Sequence, residues 1–280
     1  MKAAPQLVWT RPISPRWADA WLERIAFVGP GRTTLVEKPG QRLARLEAYP
    51  ATKAVAARLT KHFGGRLRSV SSTAWVKASA PAKPIKLGKL TLFSEAPKPK
   101  PDGPFLVVPA GLAFGTGQHA TTAMLLRELA SLKGLETVRA LDAGTGSGIL
   151  ALALRALGAK KVEAFDYDPV CVKTARANEK LNFKAPAIAW AERDFLRWTP
   201  RGTYGLICAN LFSEVLIQGT PALVKALAPG GTLLLSGVLQ TQAPAVARAL
   251  KKAGLREEQW KRRGKWTMSR WSLPVPARKR

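Results

Sequence analysis

Apolar runs alternate with amphipathic helical stretches in the second half of the chain. The predicted strands are 138–141, 161–165, 187–191, 204–209 and 232–238, and the predicted helices are 148–157, 169–182, 213–227 and 243–253. This alternation is typical of a mostly parallel, doubly wound α/β sheet with helices on both faces. Two further extended runs, 255–261 and 265–273, predict a terminal hairpin that completes a seven-stranded sheet.

The first part of the chain has a different pattern. Extended runs are predicted at 6–9, 33–37, 42–49 and 66–71, with helices at 15–27 and 52–63. The resulting order βαββαβ is that of a small ferredoxin-like α+β domain, in which two helices cover one face of an antiparallel sheet.

Between these patterns, the sequence is rich in proline and has little periodicity. Residues 76–104 therefore predict a semi-rigid linker with one strand at 90–93, and the alternative is an extension packed onto the domain that follows. The predicted organisation is a ferredoxin-like domain at 1–75, the linker at 76–104 and the α/β domain at 105–280.

Composition and charge narrow the class of protein. A hydrophobic fraction of 46% is sufficient for a globular core, while 45 Lys and Arg against 18 Asp and Glu give a net charge of +27. Such a charge favours polyanionic partners. The densest basic stretch, 254–280, is a candidate RNA or ribosome contact; the alternative is a solvated basic surface.

Cysteine and histidine are too scarce for a disulfide framework or a zinc site, because the chain has two of each. We therefore expect no metal. Charged residues interrupt the first thirty positions and no long apolar segment follows, so we expect a cytoplasmic protein without a membrane span. We also expect a monomer.

A nucleotide site is indicated where the strand at 138–141 ends. It runs into Asp142-Ala143-Gly144-Thr145-Gly146-Ser147-Gly148, and Asp166 follows Gly146 by 20 residues, at the end of the next strand. Glycines let the backbone approach a ligand, and the acid can receive both ribose hydroxyls. The spacing differs from the G-x-G-x-x-G of dinucleotide enzymes, and Asp142 would accept an ammonium but repel a pyrophosphate. These features favour S-adenosylmethionine.

Two polar residues follow later strands. Asp194 is placed to accept the adenine amino group or, alternatively, to cap a helix. Asn210 ends the fourth strand at the ligand-binding edge, where its amide can lie over a transferred methyl group or, alternatively, cap the next helix. Upstream, the small residues and hydroxyls of 113–122 form a loop that can fold over a cofactor.

These segments resemble the PrmA-type methyltransferases, which modify protein eleven of the large ribosomal subunit. The matching segments are 113–122, 140–150, 164–169, 207–211 and 227–238. The resemblance implies a class I S-adenosylmethionine-dependent methyltransferase domain joined to a ferredoxin-like substrate-recognition domain. It covers residues 105–240, whereas the N-terminal domain is similar only in pattern. Gln118 and Ala120 occupy positions that vary in the family.

The resemblance also implies site residues. Cofactor contacts carry over to Thr122, Gly144, Asp166 and Asn210, while Phe114 and Thr116 would line the methyl and amine site. The implied reaction moves a methyl group from S-adenosylmethionine to lysine side-chain or N-terminal amino groups of the ribosomal protein. It leaves S-adenosylhomocysteine, and Asn210 would orient the amine.

Two alternatives remain open at this point. An RNA amino-methyltransferase fits the charge, but Asn210 is followed by Leu211-Phe212 instead of the Pro-Pro-aromatic run that holds a flat base. Another protein-lysine methyltransferase with a non-ribosomal target fits the same motifs. A non-catalytic binding module is disfavoured because the cofactor residues are intact.

Overall fold

The computed structural model describes residues 6–15, 18–29, 32–37, 41–50, 52–70, 84–109 and 119–276. The chain divides into two compact units, Met1–Pro81 and Ala82–Arg280. None of the helices in these described ranges is long and apolar enough to cross a membrane.

The first unit has the predicted βαββαβ order. Its elements are β1 (Gln6–Ile13), α1 (Ala18–Arg24), β2 (Thr33–Val36), β3 (Ala44–Ala48), α2 (Lys53–Phe63) and β4 (Arg66–Val70). The sheet order is β2-β3-β1-β4 and every pair is antiparallel. Trp9 and Leu46 are fully buried beneath the helices together with Ile25 and Leu59. This connectivity is the one expected of a ferredoxin-like domain.

The second unit contains a large sheet and a small one. The large sheet has seven strands, listed in chain order: β8 (Arg139–Ala143), β9 (Lys161–Asp166), β10 (Ile188–Glu192), β11 (Tyr204–Asn210), β12 (Leu227–Leu239), β13 (Arg256–Arg263) and β14 (Trp266–Ser272). Its spatial order is β10-β9-β8-β11-β12-β14-β13. The first five strands of this order are parallel to one another. Strand β14 is antiparallel to β12, and β13 is antiparallel to β14. The predicted doubly wound, mostly parallel sheet is confirmed.

Helices cover both faces of this sheet. They are α3 (Ala120–Ser131), α4 (Ile149–Ala156), α5 (Pro169–Asn182), α6 (Ser213–Ala226) and α7 (Ala243–Lys252). Because successive strand residues point to opposite faces, Cys208 and Leu234 lie in the core under α3 and α4, while Ile207 and Leu235 lie in the core under α6 and α7. Each face therefore has its own apolar core.

Part of the predicted linker belongs to the second unit. The strands β5 (Ile85–Leu87), β6 (Leu90–Phe93) and β7 (Phe105–Val107) form a three-stranded sheet. Leu87, Leu90 and Leu92 are buried in the same core as α3. These leucines supply apolar surface that a solvated spacer would leave in water, so the packed extension is the alternative that the structure adopts from residue 85 onward.

Candidate functional site

The ends of β8 and β11 lie side by side at the centre of the large sheet. The strands that follow β8 in the chain, β9 and β10, lie on one side of it. The next strand, β11, lies on the other side of β8, so the strand order reverses between β8 and β11. Both strands are parallel, with Ala209 beside Ala143, so Asn210 and the glycine loop emerge at the same edge. Ligands of open α/β sheets bind in the crevice at such a reversal of strand order.

The loop after β8 depends on glycine. Gly144, Gly146 and Gly148 have positive φ angles of 75°, 56° and 85°, a region that residues with a Cβ rarely adopt. The amides of Gly144 and Thr145 donate to the carbonyl oxygen of Phe165 at 2.9 and 3.0 Å, which ties the loop to the end of β9. The loop is thereby fixed between the two strands.

Asp142 lies beneath this loop and is fully buried. Its Oδ2 accepts the Thr145 hydroxyl at 2.5 Å and the Ala151 amide at 3.1 Å, while Oδ1 has no hydrogen-bond partner among the described residues. Burial raises the pKa of Asp142 to about 7. The two hydrogen bonds lower this pKa and the charge of Asp166 raises it further, but burial is the largest effect. The free oxygen is the atom that an ammonium would meet; that role stays a prediction.

Asp166 ends β9 with both carboxylate oxygens engaged by backbone amides. Oδ2 accepts from Gly146 at 2.8 Å and Oδ1 from Asp168 at 3.1 Å, and the residue is only 7% exposed. An ionised carboxylate has about four acceptor positions, so these two bonds orient the group and leave capacity for ribose hydroxyls. The ribose contact itself stays a prediction.

Asp194 lies in an exposed turn after β10. Its Oδ1 accepts the Leu196 amide at 2.9 Å, and Oδ2 lies 3.7 Å from the guanidinium of Arg197. This hydrogen bond closes a turn and does not cap a helix, because the structure has no helix between β10 and β11. An additional contact with adenine stays a prediction.

Asn210 is held by the start of α3. Its Nδ2 donates to the hydroxyls of Thr121 and Thr122, each at 3.3 Å, and both threonines are buried. Because the amide nitrogen is used there, Oδ1 is the group left to face the crevice, and within the described ranges it accepts no hydrogen bond. Asn210 does not cap α6, whose N-cap residue is Phe212.

A histidine and a tryptophan extend this cluster. His119 Nδ1 lies 2.8 Å from the Thr121 hydroxyl, and the His119 ring meets the Trp266 ring edge-on at 5.2 Å between centroids. The ammonium of Lys265 lies 5.6 Å from the centre of the Trp266 ring. Burial, followed by the charge of Lys265, lowers the pKa of His119, which favours the neutral imidazole.

The position of Asn210 is set by its neighbour, Leu211. A Cβ on Gly144 would overlap the side chain of Leu211, and a Cβ on Gly237 would overlap its backbone oxygen. The Leu211 amide also donates to the Ser236 carbonyl at 3.2 Å. Leu211 is therefore enclosed between the glycine loop and β12, and this enclosure fixes the direction in which the preceding asparagine points.

The structure brings together most of the predicted site residues. Phe114 and Thr116 lie outside the described residues. Thr121 and Trp266 belong to the site but were not among the residues predicted from the sequence. For Thr121 a signal is visible, because the Thr121-Thr122 pair stands at a helix start. No local motif marks Trp266, because its place beside His119 depends on the pairing of β14 with β12.

Comparisons with known proteins identify the same architecture. The family model described as ribosomal protein L11 methyltransferase (PrmA) matches residues 42–271. The crystal structure of a ribosomal protein L11 methylase from Lactobacillus delbrueckii subsp. bulgaricus superposes with a TM-score of 0.60 at 31% identity, covering 68% of this chain and 98% of that one.

Curated relatives give the same result. Ribosomal protein L11 methyltransferases from Pelobacter propionicus, Agrobacterium fabrum and Bacillus cytotoxicus are 36%, 37% and 34% identical over 71%, 65% and 68% of this chain. The alignments cover 67%, 64% and 62% of the relatives, so this chain spans slightly less than two thirds of the second and third. The family match takes in all of α3, the glycine loop and Asn210, and the resemblance noted in the sequence is confirmed: the chain belongs to the ribosomal protein L11 methyltransferase (PrmA) family.

Proposed function

We propose that this protein transfers methyl groups from S-adenosylmethionine to amino groups of ribosomal protein L11, on lysine side chains, the N-terminus or both. The observation that carries the proposal is the position of Asn210, whose amide is held by Thr121 and Thr122 at the mouth of a glycine-loop crevice. Family membership supports the substrate. Such a reaction belongs in the cytoplasm, where ribosomes are assembled.

The residues present fit the cofactor. Gly144 and Gly146 leave room for close approach, Asp166 keeps acceptor capacity that suits ribose hydroxyls, and the free Oδ1 of Asp142 is a buried acceptor that suits an ammonium group. Bound there, S-adenosylmethionine supplies a methyl group on a positively charged sulfur, and S-adenosylhomocysteine leaves after transfer. Thr122 would help to hold it.

The protein's task is to present a neutral amine in line with the carbon–sulfur bond. An ordinary lysine, with a pKa of about 10.4, is neutral in only about one molecule per few thousand at pH 7, so the site must favour the free base. Asn210 Oδ1 accepts one N–H and thereby directs the nitrogen lone pair.

Methylation of an RNA base is not favoured by the same geometry. The residue after Asn210 is Leu211, enclosed between Gly144 and Gly237, and the aromatic residue that follows, Phe212, is 72% exposed. We propose instead that RNA takes part only as a binding partner, through the basic surface of the protein.

The test uses purified protein, radiolabelled S-adenosylmethionine and purified ribosomal protein L11. We expect label in methylated lysine or the methylated N-terminal residue after acid hydrolysis, and we expect ribonuclease treatment to leave incorporation unchanged. Asn210→Ala should abolish most of the incorporation, whereas calorimetry should still show cofactor binding, weakened only by the loss of the one contact predicted for this residue. Label recovered in nucleosides, or full activity in the alanine variant, would contradict the proposal.

A further inference from the structure

In the last hairpin, formed by β13 and β14, half of the basic side chains form ion pairs with carboxylates of the same protein. Lys261 and Arg270 both pair with Glu128 of α3, at 2.6 and 3.1 Å, and this carboxylate side chain is only 2% exposed. Arg256 pairs with Glu258 at 2.8 Å. Three of the six basic side chains of this hairpin are thus occupied. The described part of the segment singled out as an RNA contact is therefore a weaker phosphate-binding surface than its sequence suggests.

The small sheet of the first unit presents a different basic surface. Trp9 and Leu46 face its helices, so the strand alternation places Thr10 and Arg45 on the opposite face. The register aligns Thr10 with Arg66 on β4. A groove of about 660 Å³ crosses this open face, and its lining residues are Thr10, Arg11, Pro12, Val36, Gln41, Leu43, Ala44, Arg45, Gly65 and Arg66.

One buried carboxylate organises the arginines of this face. Glu47, with an 8% exposed side chain, lies 2.8 Å from Arg45 and 3.9 Å from Arg68, and it accepts the Tyr49 hydroxyl at 2.6 Å. Within the described ranges, Arg66 has no carboxylate partner. The guanidinium groups of Arg45, Arg66 and Arg68 and the carboxylate of Glu47 together carry a charge of +2, and the two ion pairs of Glu47 hold Arg45 and Arg68 in place before a ligand arrives.

The chemistry of the groove distinguishes RNA from an acidic peptide. A peptide that adds to a sheet pairs its backbone with an edge strand, whereas this groove runs across a face that offers side chains only. Guanidinium groups match phosphate oxygens through paired N–H donors. None of the described residues that line the groove is aromatic, so these residues offer no platform on which bases could stack.

We propose that the open face of the small sheet binds the phosphate backbone of RNA without regard to sequence, through Arg45, Arg66 and the neighbouring Arg68. This inference specifies the RNA contact within the proposed function and does not require methyl transfer. It also places the contact on the first unit and not on the β13–β14 hairpin.

The experiment measures binding of a fluorescent single-stranded RNA to the full-length protein at several salt concentrations, without cofactor. The groove variant is Arg45→Gln with Arg66→Gln, and the matched control, Arg263→Gln with Lys265→Gln, removes the same charge from the hairpin turn. Two lost phosphate contacts should reduce the slope of log affinity against log salt by about 1.4, and affinity should fall at least about tenfold. In the hairpin control, the salt slope and the RNA affinity should each change by only a small fraction of these amounts.

Arg66→Gln alone provides a second variant, because Arg66 has no ion pair with any described residue and its substitution should leave folding intact. It should reduce the slope by about 0.7, and Arg66→Lys should restore it. An unchanged slope in the groove variants, or an equal loss in the hairpin control, overturns the proposal. The proposal is also overturned if the groove variants retain RNA affinity but lose binding of polyglutamate. That result would assign the groove to an acidic peptide. Because no cofactor is present, these results stand whether or not L11 is methylated.

Discussion

The backbone of Leu211 lies against Gly237, at a point where any side chain on that glycine would overlap the Leu211 oxygen. Gly237 has a φ of +84° and lies at an irregularity in the pairing of β12 with β14. A local bulge in a strand commonly redirects a nearby side chain. Here it leaves space for the segment that carries Asn210.

Gly237→Ala should therefore impair methyl transfer. Forcing a Cβ into positive φ costs roughly 1–2 kcal/mol, and the overlap would also displace Leu211 and turn Asn210 away from the crevice. Gly254→Ala is a matched control, because Gly254 has a φ of +89° and nothing within 4 Å of the added atom. Denaturant unfolding should show the backbone strain in both variants and a larger loss of stability in Gly237→Ala because of the overlap, while steady-state assays should show reduced kcat only for Gly237→Ala. Equal kcat values would mean that Leu211 does not position the asparagine.

Thr121 should act as a positioning residue through Asn210. Thr121→Val removes one of the two hydroxyls that hold the amide, and we expect kcat to fall by roughly tenfold to a hundredfold with unchanged cofactor affinity. Thr121→Ser should restore the rate because it keeps the oxygen. Thr122→Val should weaken cofactor binding as well, since Thr122 is predicted to contact the cofactor. Calorimetry and initial rates separate the two effects, and a purely structural role would predict no rescue by serine.

Asp166→Ala should weaken S-adenosylmethionine binding by about 1–3 kcal/mol, the cost of leaving polar groups without partners. Asp194→Ala gives a comparison: loss of a turn cap alone would lower stability without changing affinity, whereas loss of an adenine contact would lower affinity too. Isothermal calorimetry with thermal unfolding distinguishes these results. Unchanged affinity in Asp166→Ala would remove this residue from the cofactor site.

Asp142 should give cofactor binding a pH dependence near neutrality. Burial raises its pKa from 3.8 to about 7, so ionisation in the folded protein occurs near pH 7 but in the unfolded chain near pH 4. Stability relative to Asp142→Asn should therefore fall as pH rises between these values, where the folded state retains the proton. An ammonium beside Oδ1 favours the ionised form, so cofactor affinity should increase through pH 7 in the native protein and less so in the variant. Parallel pH profiles would contradict the ammonium contact.

Much of this fold could be predicted because its signals are local. The strand that ends in Asn210 and the loop at Gly144 each carry their pattern within a few residues. Leu87 and Leu90 were missed as core residues because prolines around them dominate the composition of the segment. The contact between His119 and Trp266 depends on the pairing of β14 with β12, and no short-range pattern reports such a partner.

The two units should divide recognition from chemistry. A cut just before Leu90, which a linker through residue 104 would permit, removes the buried Leu87 and strand β5 from the second core. A chain beginning at Ala82 keeps that core whole.

The chain that begins at Ala82 should bind S-adenosylmethionine with nearly full affinity, because every predicted cofactor residue lies in the second unit. It should nevertheless methylate L11 far more slowly than the full chain. A chain beginning at Leu90 should in addition lose stability, since burial of one leucine contributes about 1.5–3 kcal/mol. Calorimetry, thermal unfolding and methylation rates on both truncations check this. Undiminished methylation by the Ala82 chain would show that the catalytic unit selects the amino group itself.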